Sequence, residues 1–493
     1  MKRYLTLLLS LLFVLPLPAQ SRREALLEYQ ARRRQAYTEF RDNYRKACAD
    51  FMRKRWEAFR AEAPVPVPER REPDIPVMKR PDAPSVPTQD RMPYDKVVDL
   101  PEPAPEMPDA PGIAETPVLP GKPAAGADDA APAVDVSRPF KFTFYGTGCS
   151  VSLAAKHRFN LASVQENSVA NAWEGVSRGS YDAVAAECVA LKKALGLNDW
   201  GYYDLVRTLA DGFCGPKTNE SVVLQSFLMA EAGYKVRMAR GDGRLFLLLA
   251  TDGQVYARPY FNIDGQVFYI LDDVPRAASY NICNFTIPGE RPLSLAMPAP
   301  PLFAQKPAAP AVRNFDGVVS TTVTVNRNLM DFYTNYPPCH WSIYAATALT
   351  APVRGQLYPP LRAAVAGKGE REAAELLLHY LHRAFPYKTD EAQFGVERTL
   401  FAEEMYYYPY SDCEDRSILF ARLVKDLLGL DVVLLYYPAH IATAVCFKGE
   451  VKGDYMQLGN KRYVICDATY IGAGVGEAMP DLKRTPAQVV RID

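Results

Sequence analysis

Residues 408–430 read YPYSDCEDRSILFARLVKDLLGL, and the reading of this stretch decides the fold. Asp412 is a good N-cap residue, Asp415 stands three positions further on as in a capping box, an apolar run follows, and Gly429 supplies a C-terminal stop. The spacing predicts a helix whose first residue is Cys413. A thiol at that position feels the positive end of the helix macrodipole, together with backbone N–H groups that have no partner inside the helix. Both favour the thiolate that attacks carbonyls, and the same donors can supply part of an oxyanion hole. Asp412, Glu414 and Asp415 act the other way, so a cationic partner is needed to keep the sulfur ionised.

His440 is the candidate for that partner. It opens the run HIATAVCF, in which alternation puts His440, Ala442, Ala444 and Cys446 on one strand face; the small residues beside it leave room for substrate and for the Cys413 helix. Asp467 ends the strand-like RYVICD, sharing a face with Ile465 and Tyr463. If the two strands pair antiparallel, carboxylate and imidazole meet across the ladder, and the Asp fixes the tautomer and stabilises the imidazolium.

With Cys413 in SDCEDRS opening a helix that ends at Gly429, His440 opening a strand, and Asp467 in Asp467-Ala468-Thr469, residues 390–471 resemble the transglutaminase-like superfamily of cysteine hydrolases and acyltransferases, whose members share a papain-like core. The order Cys, His, Asp and the element carrying each make the match more specific than any single motif. The resemblance implies attack of a thiolate on an amide or ester carbonyl, an acyl-enzyme, and transfer to water or an amine. The Trp or Gln that often assists the oxyanion upstream in this group is replaced by Tyr406, Tyr407, Tyr408 and Tyr410. Tyr408, Tyr410 and Asp412 are therefore the oxyanion or substrate candidates, while the tyrosines serve equally as packing surface.

Two blocks, 140–290 and 313–493, share an order of elements: a strand-like opening, helical segments, an apolar helix ending in Gly, a strand, and a hairpin whose last strand ends in Asp (Asp272 and Asp467). Arg-Thr-Leu recurs at 207–209 and 398–400. The expected fold class is α+β: two transglutaminase-like domains, each a helical part packed on an antiparallel sheet, joined by a Pro/Ala linker at 291–312. The first copy is degenerate. Counting back from Gly233 as Cys413 lies from Gly429 reaches Lys217, with Cys214 nearby; Arg244 stands near the His position, and only Asp272 persists. That copy is expected to be catalytically dead, with a binding or a structural role.

Upstream, residues 1–20 (MKRYLTLLLSLLFVLPLPAQ) read as a signal peptide, so export to the periplasm or outside the cell is expected, with no membrane span in the mature protein. Residues 21–62 read as one amphipathic helix with Tyr37, Phe40, Tyr44, Ala47 and Phe51 on one face and a mildly basic polar face, either solvated or docked on a protein or envelope partner. Residues 63–139 hold 19 of the 41 prolines and read as an extended spacer. Net charge is zero, which argues against whole-chain attraction to nucleic acid.

Nine cysteines lack framework spacing and are odd in number, which leaves at least one thiol free or intermolecular. Cys446 and Cys466 read as core residues, Cys339 beside His340 as a non-productive neighbour pair, and His379 with His382 as lacking the further ligands a metal needs. No cofactor is implied, since no Walker A, Rossmann or EF-hand pattern is present. The function expected is cleavage of peptide or isopeptide amides by an exported cysteine hydrolase. The alternatives are a non-catalytic binding or assembly protein on the same fold, and a protein-crosslinking acyltransferase.

Overall fold

A computed structural model describes residues 19–68, 75–78, 88–99, 139–178, 180–272 and 279–492. Almost all of the expected signal segment and three stretches of the Pro-rich segment lie outside these residues. The chain opens with helix α1 (Ala19–Met52), strand β1 (Glu57–Phe59) and strand β2 (Tyr94–Val98). The first half follows: the hairpin β3 (Phe140–Phe144) and β4 (Thr147–Val151), helices α2 (Glu166–Val176), α3 (Ser180–Leu195), α4 (Asp199–Cys214) and α5 (Asn219–Glu231), then β5 (Val236–Gly241), β6 (Arg244–Ala250), β7 (Tyr260–Ile263), β8 (Gln266–Tyr269) and β9 (Tyr280–Cys283). The second half has the hairpin β10 (Ala311–Phe315) and β11 (Val319–Val323), then α6 (Arg327–Thr334), α7 (Trp341–Ala346), α8 (Ala351–Val365), α9 (Glu370–Ala384), α10 (Asp390–Phe394) and α11 (Cys413–Leu428). It closes with β12 (Asp431–Tyr437), β13 (His440–Cys446), β14 (Tyr455–Leu458), β15 (Lys461–Cys466) and β16 (Ala487–Arg491).

The class is mixed α+β, and the two large sheets have one strand order. They run β1-β9-β5-β6-β8-β7 and β2-β16-β12-β13-β15-β14, antiparallel throughout except where β2 lies parallel to β16. In each, an N-terminal strand caps the same edge, a location where an unpaired ladder would otherwise face solvent. Each sheet also buries both faces. One face packs on helices within a core continuous through both halves; the other forms a separate cluster, Val433, Leu435, Ala442, Ile465 and Val489 around Met92, or Phe246, Leu248, Phe261 and Ile282 against Phe59 and Ala61. Burial on both faces explains why β6 and β13 read as nearly unbroken apolar runs.

Several expectations need correcting. The N-terminal helix stops at Met52 rather than 62, because Trp56 is buried and turns its indole N–H back onto the Met52 carbonyl (2.9 Å). Among its described side chains the buried ones are Arg45, Cys48, Ala49 and Met52, whereas Phe40 and Ala47 face outward; the side chain of Tyr37 lies outside the described residues. The cause is distant in sequence: the Arg45 guanidinium donates to Glu231 (2.5 Å) and Asp182 (2.6 Å) on the first half. The Pro-rich segment is not merely a spacer either. Besides β2, Pro76 and Met78 bracket Ile471 through two 2.8 Å backbone bonds, and Met92 is buried. The 291–312 connection is likewise packed, with Leu293, Leu295, Met297 and Phe303 buried. Finally, the Arg-Thr-Leu match is not structural: residues 207–209 are inside α4, whereas 398–400 form an extended loop. Among the described residues, no helix is long and apolar enough to cross a membrane.

Candidate active site

Helix α11 begins at Cys413 as its sequence requires. The backbone N–H of Asp412 donates to Asp415, whose other oxygen accepts from Leu400 N–H (2.8 Å), so capping also ties the preceding loop to the helix. Gly429 ends the helix in the left-handed conformation (φ 64°). The chain then reverses through β12 and returns through β13 by a two-residue turn, pairing Tyr437 with His440; Ala439 there is at φ 68°, a strained value for a residue with a Cβ. One turn along α11, the Ser417 hydroxyl donates to the Ile441 carbonyl (3.0 Å). Cys413 precedes Ser417 by four residues on the same helix face, so it stands beside the start of β13, where His440 is.

Small residues at 442 and 444 do not make room for α11, contrary to expectation. Ile441 and Val445 meet the helix, while Ala442 and Ala444 turn to the opposite face, towards Met92. The helix start and the His440 strand therefore approach at the sheet's rim.

The β13–β15 pairing is antiparallel, with Thr443 opposite Cys466. One further step puts Asp467 opposite Ala442, diagonal to His440 on the same face. Its Oδ2 accepts from His440 Nε2 at 2.9 Å, and its Oδ1 accepts from the Thr469 (2.9 Å) and Tyr470 (3.1 Å) amides. Burial alone would raise this carboxyl's pKa; the charge and hydrogen bond of His440 and the two amides outweigh it and hold the pKa below the usual carboxylate range. With Nε2 committed to Asp467, Nδ1 is the ring nitrogen that does not face this carboxylate. Cys413, His440 and Asp467 are 2%, 0% and 1% exposed.

Two supports were not read from the sequence. His382 on α9 donates from Nε2 to the Asp467 carbonyl (3.0 Å), and burial pulls its pKa down to about 4, so near neutral pH it is an uncharged brace for the Asp467 backbone. Arg416, fully buried three residues after Cys413, donates to the Phe385 carbonyl and to Ser411 Oγ (3.3 Å). Burial brings its pKa down to about 10, opposed by the fields of Tyr387, Asp412, Asp415 and Cys413. It therefore stays cationic at neutral pH, a charge that offsets the acidic residues around the sulfur. The signal was present in SDCEDRS as an arginine in the first turn.

Those acidic residues are close. Cys413 Sγ lies 3.4 Å from a Glu414 oxygen, and ligand atoms of Asp412, Cys413 and Glu414 lie within 4.8 Å of one another, as do those of Asp390, Asp412 and Asp415. Such a cluster can be held by protons or by an oxygen-seeking cation; the Asp415 carboxyl is pushed well above its ordinary pKa, chiefly by burial.

The remaining candidates fall as follows. Asp412 is the buried N-cap residue of α11. Tyr408 contacts Thr334, Phe394, Tyr407 and the Arg398 guanidinium, and Tyr410 is 38% exposed with the Lys388 ammonium over its ring. His340 Nδ1 caps α7. Cys466 is buried and Cys446 partly buried.

In the first half, register assigns the equivalents. Gly241 pairs with Arg244 as Tyr437 does with His440, and continuing Leu249 opposite Tyr269 puts Asp272 diagonal to Arg244. The start of α5 corrects one assignment: Asn219, not Lys217, occupies the helix position of Cys413. Its amide oxygen accepts from Leu245 N–H (2.9 Å), and Asp272 accepts from Arg207 (3.1 Å). No protein-family model, no curated protein and no solved structure matches this chain.

Proposed function

We propose that this chain is an exported cysteine hydrolase of transglutaminase-like arrangement, acting on peptide or isopeptide amides through Cys413. The observation that carries the proposal is the buried His440–Asp467 hydrogen-bonded pair, with three further hydrogen bonds holding Asp467, near the start of the helix that opens with Cys413. His440 Nδ1 takes the thiol proton. The sulfur then attacks the carbonyl carbon, and first-turn N–H groups of α11 receive the developing oxyanion. Collapse expels the amine, which leaves with the proton from His440, and a thioester remains on Cys413. A water that gives its proton to His440 releases the acid; an amine in its place would give a crosslink. The common strand order of the two sheets supports a duplicated fold in which Asn219 and Arg244 have replaced nucleophile and base.

The near-complete burial of Cys413 favours a second reading, a binding or assembly protein that keeps the fold without the chemistry. Incubation with a peptide mixture, followed by mass spectrometry of products and of the intact protein, separates the two. Turnover and an acyl adduct on Cys413, both lost in Cys413→Ala, are expected; the same products from wild type and Cys413→Ala would refute the proposal.

A further inference from the structure

A cavity of about 330 Å³ lies between the halves, a volume at the lower end of the range for small-molecule sites, about 300–1,000 Å³. Its wall has a distinctive composition. Six of its twenty lining residues are Tyr or Trp, although aromatic residues make up 11% of the chain, and none is Phe, although the chain has 22. Every ring on the wall therefore carries a polar atom, so the surface offers faces for C–H groups together with hydrogen-bonding edges. Most of these rings are buried, Trp200 and Trp341 among them, whereas Tyr256 is half-buried and leaves part of its ring open to a ligand.

The wall is also preformed, and its charges are already matched. Pro68, Pro337 and Pro338 line it with backbone whose φ is fixed. Beside them the Tyr256 N–H donates to the Pro338 carbonyl (2.9 Å) and the Ala257 N–H to the Val65 carbonyl (2.7 Å), which ties the Pro-rich segment and both halves together there. Arg207 is paired with Asp204 and Asp272, Arg398 with Glu404, and Arg258 and Glu397 are engaged as well. A charged ligand would bring in a charge with no counter-ion left to meet it, which is costly away from water. An uncharged polar ligand meets no such penalty. Two donors on this wall, Trp200 Nε1 and Arg398 Nη1, are buried without a hydrogen-bond partner. Such donors are rare, and a cavity beside them is where an acceptor can enter.

We infer that this cavity binds an uncharged sugar unit, with the Tyr256 ring against its C–H face and the surrounding wall bonded to its hydroxyls. A sugar presents an apolar face and a rim of groups that both donate and accept, the same division that Tyr and Trp side chains impose on the wall. The site is separate from the Cys413 chemistry, since none of Cys413, His440 and Asp467 lines the cavity.

The test is calorimetric titration of the full chain with methyl β-glucoside and methyl β-N-acetylglucosaminide as neutral sugars, methyl β-glucuronide as the matched anion, and acetylated Ala-Gln-Ala amide as an uncharged peptide. At least one neutral sugar is expected to bind about ten-fold or more tightly than the glucuronide and the peptide. Its binding should also change tryptophan fluorescence, because two of the chain's four tryptophans wall the cavity. Trp200→Phe keeps a ring and removes the N–H, and should weaken sugar binding roughly three- to ten-fold. Tyr256→Ala should weaken it by about ten-fold or more, and Tyr256→Phe, which keeps the ring face, should retain most of it. Circular dichroism establishes that each variant is folded. No binding of either neutral sugar, tighter binding of the glucuronide or the peptide, or a sugar affinity unmoved in Trp200→Phe and Tyr256→Ala overturns the inference.

Discussion

Replacing Arg416 by methionine removes a buried positive charge three residues from Cys413 while keeping an unbranched chain of similar reach. Residues three apart on a helix have Cβ atoms about 5–6 Å apart. At an effective dielectric constant of about 20, a unit charge at roughly 6 Å stabilises a thiolate by about 3 kcal/mol. That corresponds to about two pH units, since each is worth about 1.4 kcal/mol. The assay is the rate of iodoacetamide uptake by Cys413 against pH, with Arg416→Lys as the charge-preserving control and thermal melting as the check on folding. Half-maximal uptake should move up by one to two pH units in Arg416→Met, and the rate near pH 7 should fall ten- to hundred-fold. Arg416→Lys should recover most of the shift even though it loses the forked contacts to Phe385 and Ser411. A folded Arg416→Met protein with an unmoved profile would refute the argument that this guanidinium balances the acidic surroundings of the sulfur.

Three further outcomes are expected. Asp467→Asn keeps the side-chain shape but removes the charge that orients His440, so Cys413 alkylation near pH 7 should slow by about ten-fold or more, with the loss seen in rate and little in melting temperature. Glu403 is buried, and its carboxyl is pushed from 4.5 up to about 7, chiefly by burial; a raised folded pKa means full stability below about 4.5 and a growing penalty as pH rises towards 7, reaching about 3 kcal/mol. Glu403→Gln can still accept from Thr350 N–H, and it should flatten the pH dependence of urea unfolding and raise stability at pH 8. Gly453 is at φ 138° with an added Cβ 2.3 Å from Gly476 Cα, so Gly453→Ala should cost about 2 kcal/mol or more by thermal unfolding.

What the sequence made legible, and what it did not, divides along the range of the forces involved. Helix α11 was readable because Asp412, Asp415 and Gly429 act within a few residues of one another. The His440–Asp467 contact was readable because strand alternation determines it once β13 and β15 pair antiparallel, although β14 stands between them in sequence. Strand β2 carried no comparable sign: it joins β16 about 390 residues away, and Tyr94–Val98 follows a proline in a segment whose composition reads as extended chain. The buried face of α1 was misread for the same reason. Arg45 ranks as a surface residue until Glu231 and Asp182 arrive from elsewhere in the chain to pair with it. Arg416 was present in the motif, but only three-dimensional burial distinguishes it from a solvated arginine on a helix.

The most direct test of the central claim compares how fast the nine cysteines take up iodoacetamide near neutral pH in wild type and in His440→Ala, read by peptide mass spectrometry. Exposure alone would favour partly buried Cys446 and Cys214, but burial pushes both thiols up, Cys214 to about 12. The account predicts that Cys413 is modified first although it is 2% exposed, and that His440→Ala removes its lead. Uptake led by Cys446 or Cys214, with Cys413 unaffected by loss of the imidazole, would contradict it.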